Sequence, residues 1–252
     1  MMIYAQSLPD VTNLTDWAFY PWLVCSYDQR YVKDDYGHLV GLFRPADCLF
    51  TLIAEHHAPE TDSINERYSA AIVGRAKLVP ADIDLKVGEL LSLSLYAATQ
   101  DTSKRYFMNS FGGLSQYYAG TLADLKLVKA SDRSRSFYSN QYGESLAHIV
   151  DAFVSGVRFW QVVENDWGTL DDLEMLSGFC ACCILTSTKE CQQLINIFFD
   201  AGDLYAEEGS RRYRSLALIQ QLVGALLLKE LIFRKCIYSG VLPDGEAWSI
   251  PQ

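Results

Sequence analysis

This sequence predicts a mainly helical fold, and three observations carry that expectation. Apolar residues recur three and four positions apart in most segments, the spacing of one helical face. The strand signal is confined to two short runs, 127–130 and 137–138, on either side of a polar turn. The Phe111-Gly112-Gly113 triplet interrupts a helical stretch, because paired glycines tolerate the positive φ of a tight turn. The elements group into a helical N-terminal segment at 1–84, a helix–hairpin domain at 85–165 and a C-terminal helical bundle at 166–252.

The first segment carries a dense aromatic cluster of Trp17, Phe19, Tyr20 and Trp22. A helix is expected over 15–27, capped by Thr15 or Asp16, and another over 45–57. Pro45 suits the first turn of the latter, where its missing N–H has no partner to lose. Asp34-Asp35-Tyr36-Gly37 reads as a turn and 58–70 as a polar loop. Val87, Leu90, Leu91, Leu95 and Ala98 share one face of a helix expected over 85–98.

The run 103–153 is the most informative. A short helix is expected over 104–110, then the glycine turn, then a helix that Ser115 caps and that runs to Leu125. Its spacing turns Tyr118, Leu122 and Leu125 inward and Gln116, Tyr117, Gly120, Thr121 and Asp124 outward. A strand, a polar turn at 131–135 and a returning strand follow. Asn140 and Gly143 then lead into a long helix over 144–163. The succession Tyr118, Leu122, Leu125, Leu127, polar turn, Gly143, Leu146 resembles the winged-helix superfamily over roughly 85–155.

That resemblance implies a winged-helix domain with a two-stranded wing. In the superfamily the second helix of the pair enters the major groove, the wing rides the backbone, and Arg and Lys meet phosphates. It implies base-facing roles for Ser115, Gln116, Tyr117 and Thr121. It implies phosphate contacts by Lys104, Arg105, Lys126, Lys129, Arg133 and Arg135. Winged helices also bind proteins, and the outward face of 115–125 holds no Arg or Lys. A protein subunit is therefore the alternative partner. The overall arrangement also resembles multi-component proteins of bacterial anti-phage defence islands, which carries no residue assignment.

The remainder reads as helical. Thr169 caps a helix starting near Leu170, with Asp171 and Asp172 in its first turn where the dipole favours them. Further helices are expected over 189–199 and 213–238. The abrupt end at Trp248-Ser249-Ile250-Pro251-Gln252 suggests the N-terminal part of a longer protein.

The formal charge of −10 argues against a general nucleic-acid coat. The window 101–150 nevertheless has six basic and four acidic residues, a basic island on an acidic chain. Seven cysteines, an odd number, with no signal-peptide pattern point to reduced thiols in the cytoplasm. The longest apolar runs, 175–188 and 215–228, fall short of the roughly twenty residues that span a bilayer.

Other constellations are weaker. Cys180 and Cys183, expected inside an apolar helix, and Cys182 and Cys191 lack a nearby His, and core packing is their expected role. His56 and His57 point about 100° apart on a helix. With Glu55, Glu60 and Asp62 they read as a solvated helix end, so no metal is expected. Asp82, Asp84 and Lys86 form a D-x-K triplet similar to that of certain metal-dependent nucleases, though no sheet pattern surrounds it and the two acids read as opening a helix. His148 reads as a structural histidine, and Arg211, Arg212 and Arg214 as a solvated turn. Phosphate-loop, nucleophile-elbow and dinucleotide motifs are missing, so no cofactor is expected. The expected function is a non-catalytic recognition subunit that meets DNA or a partner protein within a larger complex. A nuclease component and a scaffold subunit are the alternatives.

Overall fold

Two long helices, each with an interior proline, form the centre of the structure. A computed structural model describes residues 14–31, 35–57, 74–130, 137–180, 188–199 and 214–215. The first helix, α1, is Leu14–Arg30 with Pro21 inside. It begins ahead of Thr15 and Asp16, so neither is its cap. Ala18, Phe19, Tyr20, Trp22, Leu23, Val24, Cys25 and Tyr27 are all buried. A helix covered on nearly every side needs no polar stripe.

The second helix, α2, is Tyr36–His56, not the shorter run expected from Pro45. Asp35 caps it by accepting the Gly37 N–H at 2.9 Å. Pro45 thus lies mid-helix, where it removes one backbone bond at a cost of about 3 kcal/mol. Twelve buried residues between Leu39 and Ala54 offset that loss.

Helix α3, Arg75–Lys86, packs on α2. The single helix expected over 85–98 does not form. Gly88 takes φ +91, and β1 (Leu91–Ser92) and a short α4 (Leu93–Tyr96) follow. Of the expected apolar face, Leu91 is buried, while Val87, Leu90 and Leu95 are exposed. Strand β1 pairs antiparallel with β4 (Trp167–Gly168), and Asp166 accepts the Ser94 N–H at 2.5 Å.

Residues 97–112 wrap α2 without regular structure, so the helix expected over 104–110 is missing. Arg44 instead fixes the segment's path by donating to the carbonyls of Ala97, Ala98, Phe107 and Asn109. A wide turn of π-helix, Leu114–Tyr118, then leads into α5, Ala119–Asp124. Strands β2 (Val128–Ala130) and β3 (Phe137–Ser139) pair antiparallel, Val128 opposite Ser139 and Ala130 opposite Phe137.

The long helix expected over 144–163 is two helices, α6 (Gln141–Asp151) and α7 (Gly156–Asn165), bent by 97°. Trp22 sits in the corner. Its Nε1 donates to Asp151 at 2.5 Å, and its ring lies 3.1 Å from where a Gly156 Cβ would be. The bend lets α6 run along α1 while α7 crosses α2. Helix α8, Leu170–Met175, has the expected Thr169 cap, with Asp172 closing a capping box. A 3-10 turn, Ser177–Phe179, and α9, Thr188–Phe199, complete the described elements.

The core between α1, α2, α7 and the 3-10 turn is aromatic. Phe19 stacks on Phe50 with centroids 3.9 Å apart, and Trp22, Phe159 and Phe179 meet edge to face or tilted. The chain divides into two compact units, 1–194 and 195–252. The first contains the whole of the segments expected at 1–84 and 85–165. Among the described residues the architecture is mainly helical with two small two-stranded sheets. Among the described residues no single helix is long and apolar enough to cross a membrane. The expected loop at 58–70 and all but two residues of the helix at 213–238 lie outside the described residues.

Candidate functional site

The outward side of the π-turn and α5 is the surface the sequence singles out. Leu114, Tyr118, Leu122 and Leu125 are buried, whereas Gln116, Tyr117, Gly120, Thr121 and Asp124 are exposed. This is the division expected from the spacing. Tyr117 is 52% exposed, and Met108 in the wrapping segment is 81% exposed. The buried Phe107 ring lies 6.3 Å from the Tyr117 ring, edge to face.

The end of α5 sets the position of the hairpin. Leu127 N–H donates to Leu122 O at 2.8 Å and Lys126 N–H to Ala123 O at 2.9 Å. This is a Schellman closure, with buried Leu122 and Leu127 making its apolar contact. Lys126 occupies the left-handed position, φ +54, usually given to glycine. On the far side, Asp28 of α1 accepts the Ser139 N–H at 2.7 Å and Phe111 packs edge-on against Phe137 and Phe43. A side chain on Gly143 would collide with the Leu127 carbonyl, so α6 meets the hairpin backbone directly.

The glycine turn rests on a buried carboxylate that sequence reasoning missed. Asp47 of α2 is 3% exposed. Its Oδ1 accepts from Tyr20 Oη at 2.7 Å; its Oδ2 accepts from Tyr106 Oη and from the Gly113 N–H at 3.1 Å. Burial pushes the Asp47 carboxyl above its ordinary range, against the pull of these donors and of Arg44. Burial lowers Arg44 in the same way. Gly112 at φ +59 and Gly113 both lie where any Cβ would strike this network. Arg44 and Asp47 are three residues apart, so one face of α2 holds both ends of the wrapping segment. An Arg and an Asp in a strongly apolar helical run are the one sign the sequence offers of such a buried pair.

The sequence-derived residues divide as follows. Lys104 is exposed and lies over the Tyr96 ring, 5.7 Å from its centroid. Arg105 is committed to Asp101 at 3.0 Å and the Thr99 carbonyl at 3.1 Å. Ser115 does not cap the helix; it lies inside it and donates to Asn109 Oδ1. Gln116 donates to Tyr117 Oη at 2.9 Å. Thr121, Lys126 and Lys129 are exposed. Arg133 and Arg135 lie outside the described residues.

No protein-family model, curated protein or solved structure matches this chain.

The remaining constellations are also located. Asp82, Asp84 and Lys86 lie in the C-terminal half of α3, not at a helix start; Lys86 Nζ bonds Asp82 at 2.8 Å. Cys25 and Cys48 are buried free thiols. Burial raises Cys25 to about 11, with Glu144 and Asp151 adding to the shift, and raises Cys48 well above the ordinary range. Cys180 is buried beyond the 3-10 turn in extended backbone, not in a helix. Cys182 and Cys183 lie outside the described residues. His148 and Arg214 are exposed. His56 and His57 are not a solvated end: both are half-buried and bonded to other elements.

Proposed function

We propose that this chain is a non-catalytic recognition subunit that docks a partner protein through the outward face of 114–124 and the adjoining hairpin. The carrying observation is that face itself. Gln116, Tyr117, Gly120 and Thr121 are presented together on a scaffold anchored by Arg44 and Asp47. The helix and hairpin take the parts of second helix and wing in the winged-helix reading, while an irregular segment replaces that fold's preceding helix. Surface of this kind, an exposed Tyr and Met amid small and amide side chains, suits protein contacts. Groove binding is less well served. The outward face bears Asp124 and no cation, and Arg105 is already paired. Exposed Lys104, Lys126 and Lys129 keep nucleic acid as the second reading.

A photo-crosslinking residue placed at 117 or 121 in the native host, with one at Lys77 as control, tests the proposal. Protein adducts from 117 and 121 but not from 77 are expected. Adducts to nucleic acid would transfer the reading to that partner, and no adduct would remove this face from the account. In parallel, duplex DNA titrated at several salt concentrations is expected to show no affinity that Lys126→Glu with Lys129→Glu abolishes.

A further inference from the structure

Away from that surface, the end of α2 meets α3 and α8 at a cluster of imidazoles and carboxylates. His56 is the last residue of α2 and His57 its C-cap. Their ring centroids are 4.9 Å apart with planes at 77°. His56 Nδ1 lies 2.7 Å from Asp82 Oδ1, and its Nε2 lies 3.0 Å from Glu174 Oε1 of α8. His57 Nε2 lies 3.0 Å from the Leu173 carbonyl. One donor atom from each of His56, His57 and Glu174 falls within 4.8 Å of the others.

Each ring nitrogen of His56 therefore faces a carboxylate oxygen from a different element, Asp82 on α3 and Glu174 on α8. An imidazole that binds a metal through one nitrogen while giving its other N–H to a carboxylate is the usual outer-shell arrangement, and Asp82 provides it here. Lys86 holds the other oxygen of Asp82 at 2.8 Å, so the carboxylate is itself oriented.

We propose that His56, His57 and Glu174 form a mononuclear site for a divalent transition-metal ion of the zinc class, with Asp82 as the positioning residue for His56. Two imidazoles and one carboxylate form a three-ligand set that leaves a fourth position open. Ligands about 2.0–2.1 Å from a tetrahedral ion lie roughly 3.3 Å apart, close to the present His56–Glu174 separation. A ring nitrogen of His57 already lies within 4.8 Å of the other two donor atoms and completes the set. Glu174 has a side chain 62% exposed, so ions reach the site from solvent. The bound ion joins α2 to α8 directly and to α3 through Asp82. This site is independent of the docking surface, and each stands or falls alone.

The test uses the full chain freed of metal by a chelator, with its solvent-accessible cysteines alkylated under native conditions. Zn²⁺ is titrated by calorimetry and Co²⁺ by visible absorption. One equivalent is expected to bind, with cobalt d–d bands and no thiolate-to-cobalt charge-transfer band. Glu174→Gln and His57→Gln should each weaken Zn²⁺ binding at least tenfold, and Asp82→Asn by about 10–100-fold. Glu174→Gln changes a largely exposed side chain, so unchanged circular dichroism secures the comparison. Absence of one-equivalent binding overturns the proposal, as does binding that survives both Glu174→Gln and His57→Gln. A spectrum dominated by thiolate also overturns it.

Discussion

At the scale of single residues, the decisive positions are those where no atom can be added. Gly112 and Gly113 face the Asp47, Tyr20 and Tyr106 network without space for a Cβ, and Gly112 also holds φ +59. Gly120 in α5 faces open space. The two kinds of glycine therefore answer substitution with opposite signs. Gly112→Ala should cost roughly 3–5 kcal/mol, from left-handed strain plus a disrupted buried carboxylate. Gly120→Ala should gain up to about 1 kcal/mol through helix propensity. Urea unfolding of both variants measures the difference; equal midpoints would contradict the packing described. The break at Gly112-Gly113 was legible in the sequence because glycine pairs mark turns. Its buried partner was not, since Asp47 lies 65 residues away and no local pattern links the two.

Among elements, helix ends decided more than helix interiors. The Schellman closure after α5 joins the exposed helix to the hairpin and places Lys126 at φ +54. Glycine at that position would relieve strain of order 1 kcal/mol or more, partly returned as chain entropy. Lys126→Gly is therefore expected to leave stability unchanged or raise it by up to about 1 kcal/mol, read from thermal melts. A clear fall in Tm would show that the lysine's own contacts outweigh the strain. Element positions were largely readable from spacing for α5, α9 and the hairpin, and from spacing and the Thr169 cap for α8. They failed where a side chain from a distant element set the path of the backbone. Arg44 holds 97–109 through four carbonyls, and Trp22 occupies the corner that divides α6 from α7.

For the molecule as a whole, the first compact unit buries Cys25 and Cys48 in its central helices. Their thiols become reactive only when that core opens. Iodoacetamide labelling of native protein at these two positions should be at least about a thousandfold slower than in urea, the ratio set by a stable domain. Peptide mapping by mass spectrometry measures it, and rapid native labelling would show a core less closed than the structure has it. The sequence by itself determined the helical class, the caps at Thr169 and the inward and outward sides of α5. Each depends on residues within a few positions of one another, where spacing and capping chemistry act directly. Only the tertiary structure decided that Pro45 lies inside a helix, that Asp47 supports the glycine turn, and that His56, His57 and Glu174 meet. Those outcomes depend on burial and on partners 26 to 118 residues apart, whose interaction exists only once the chain has closed.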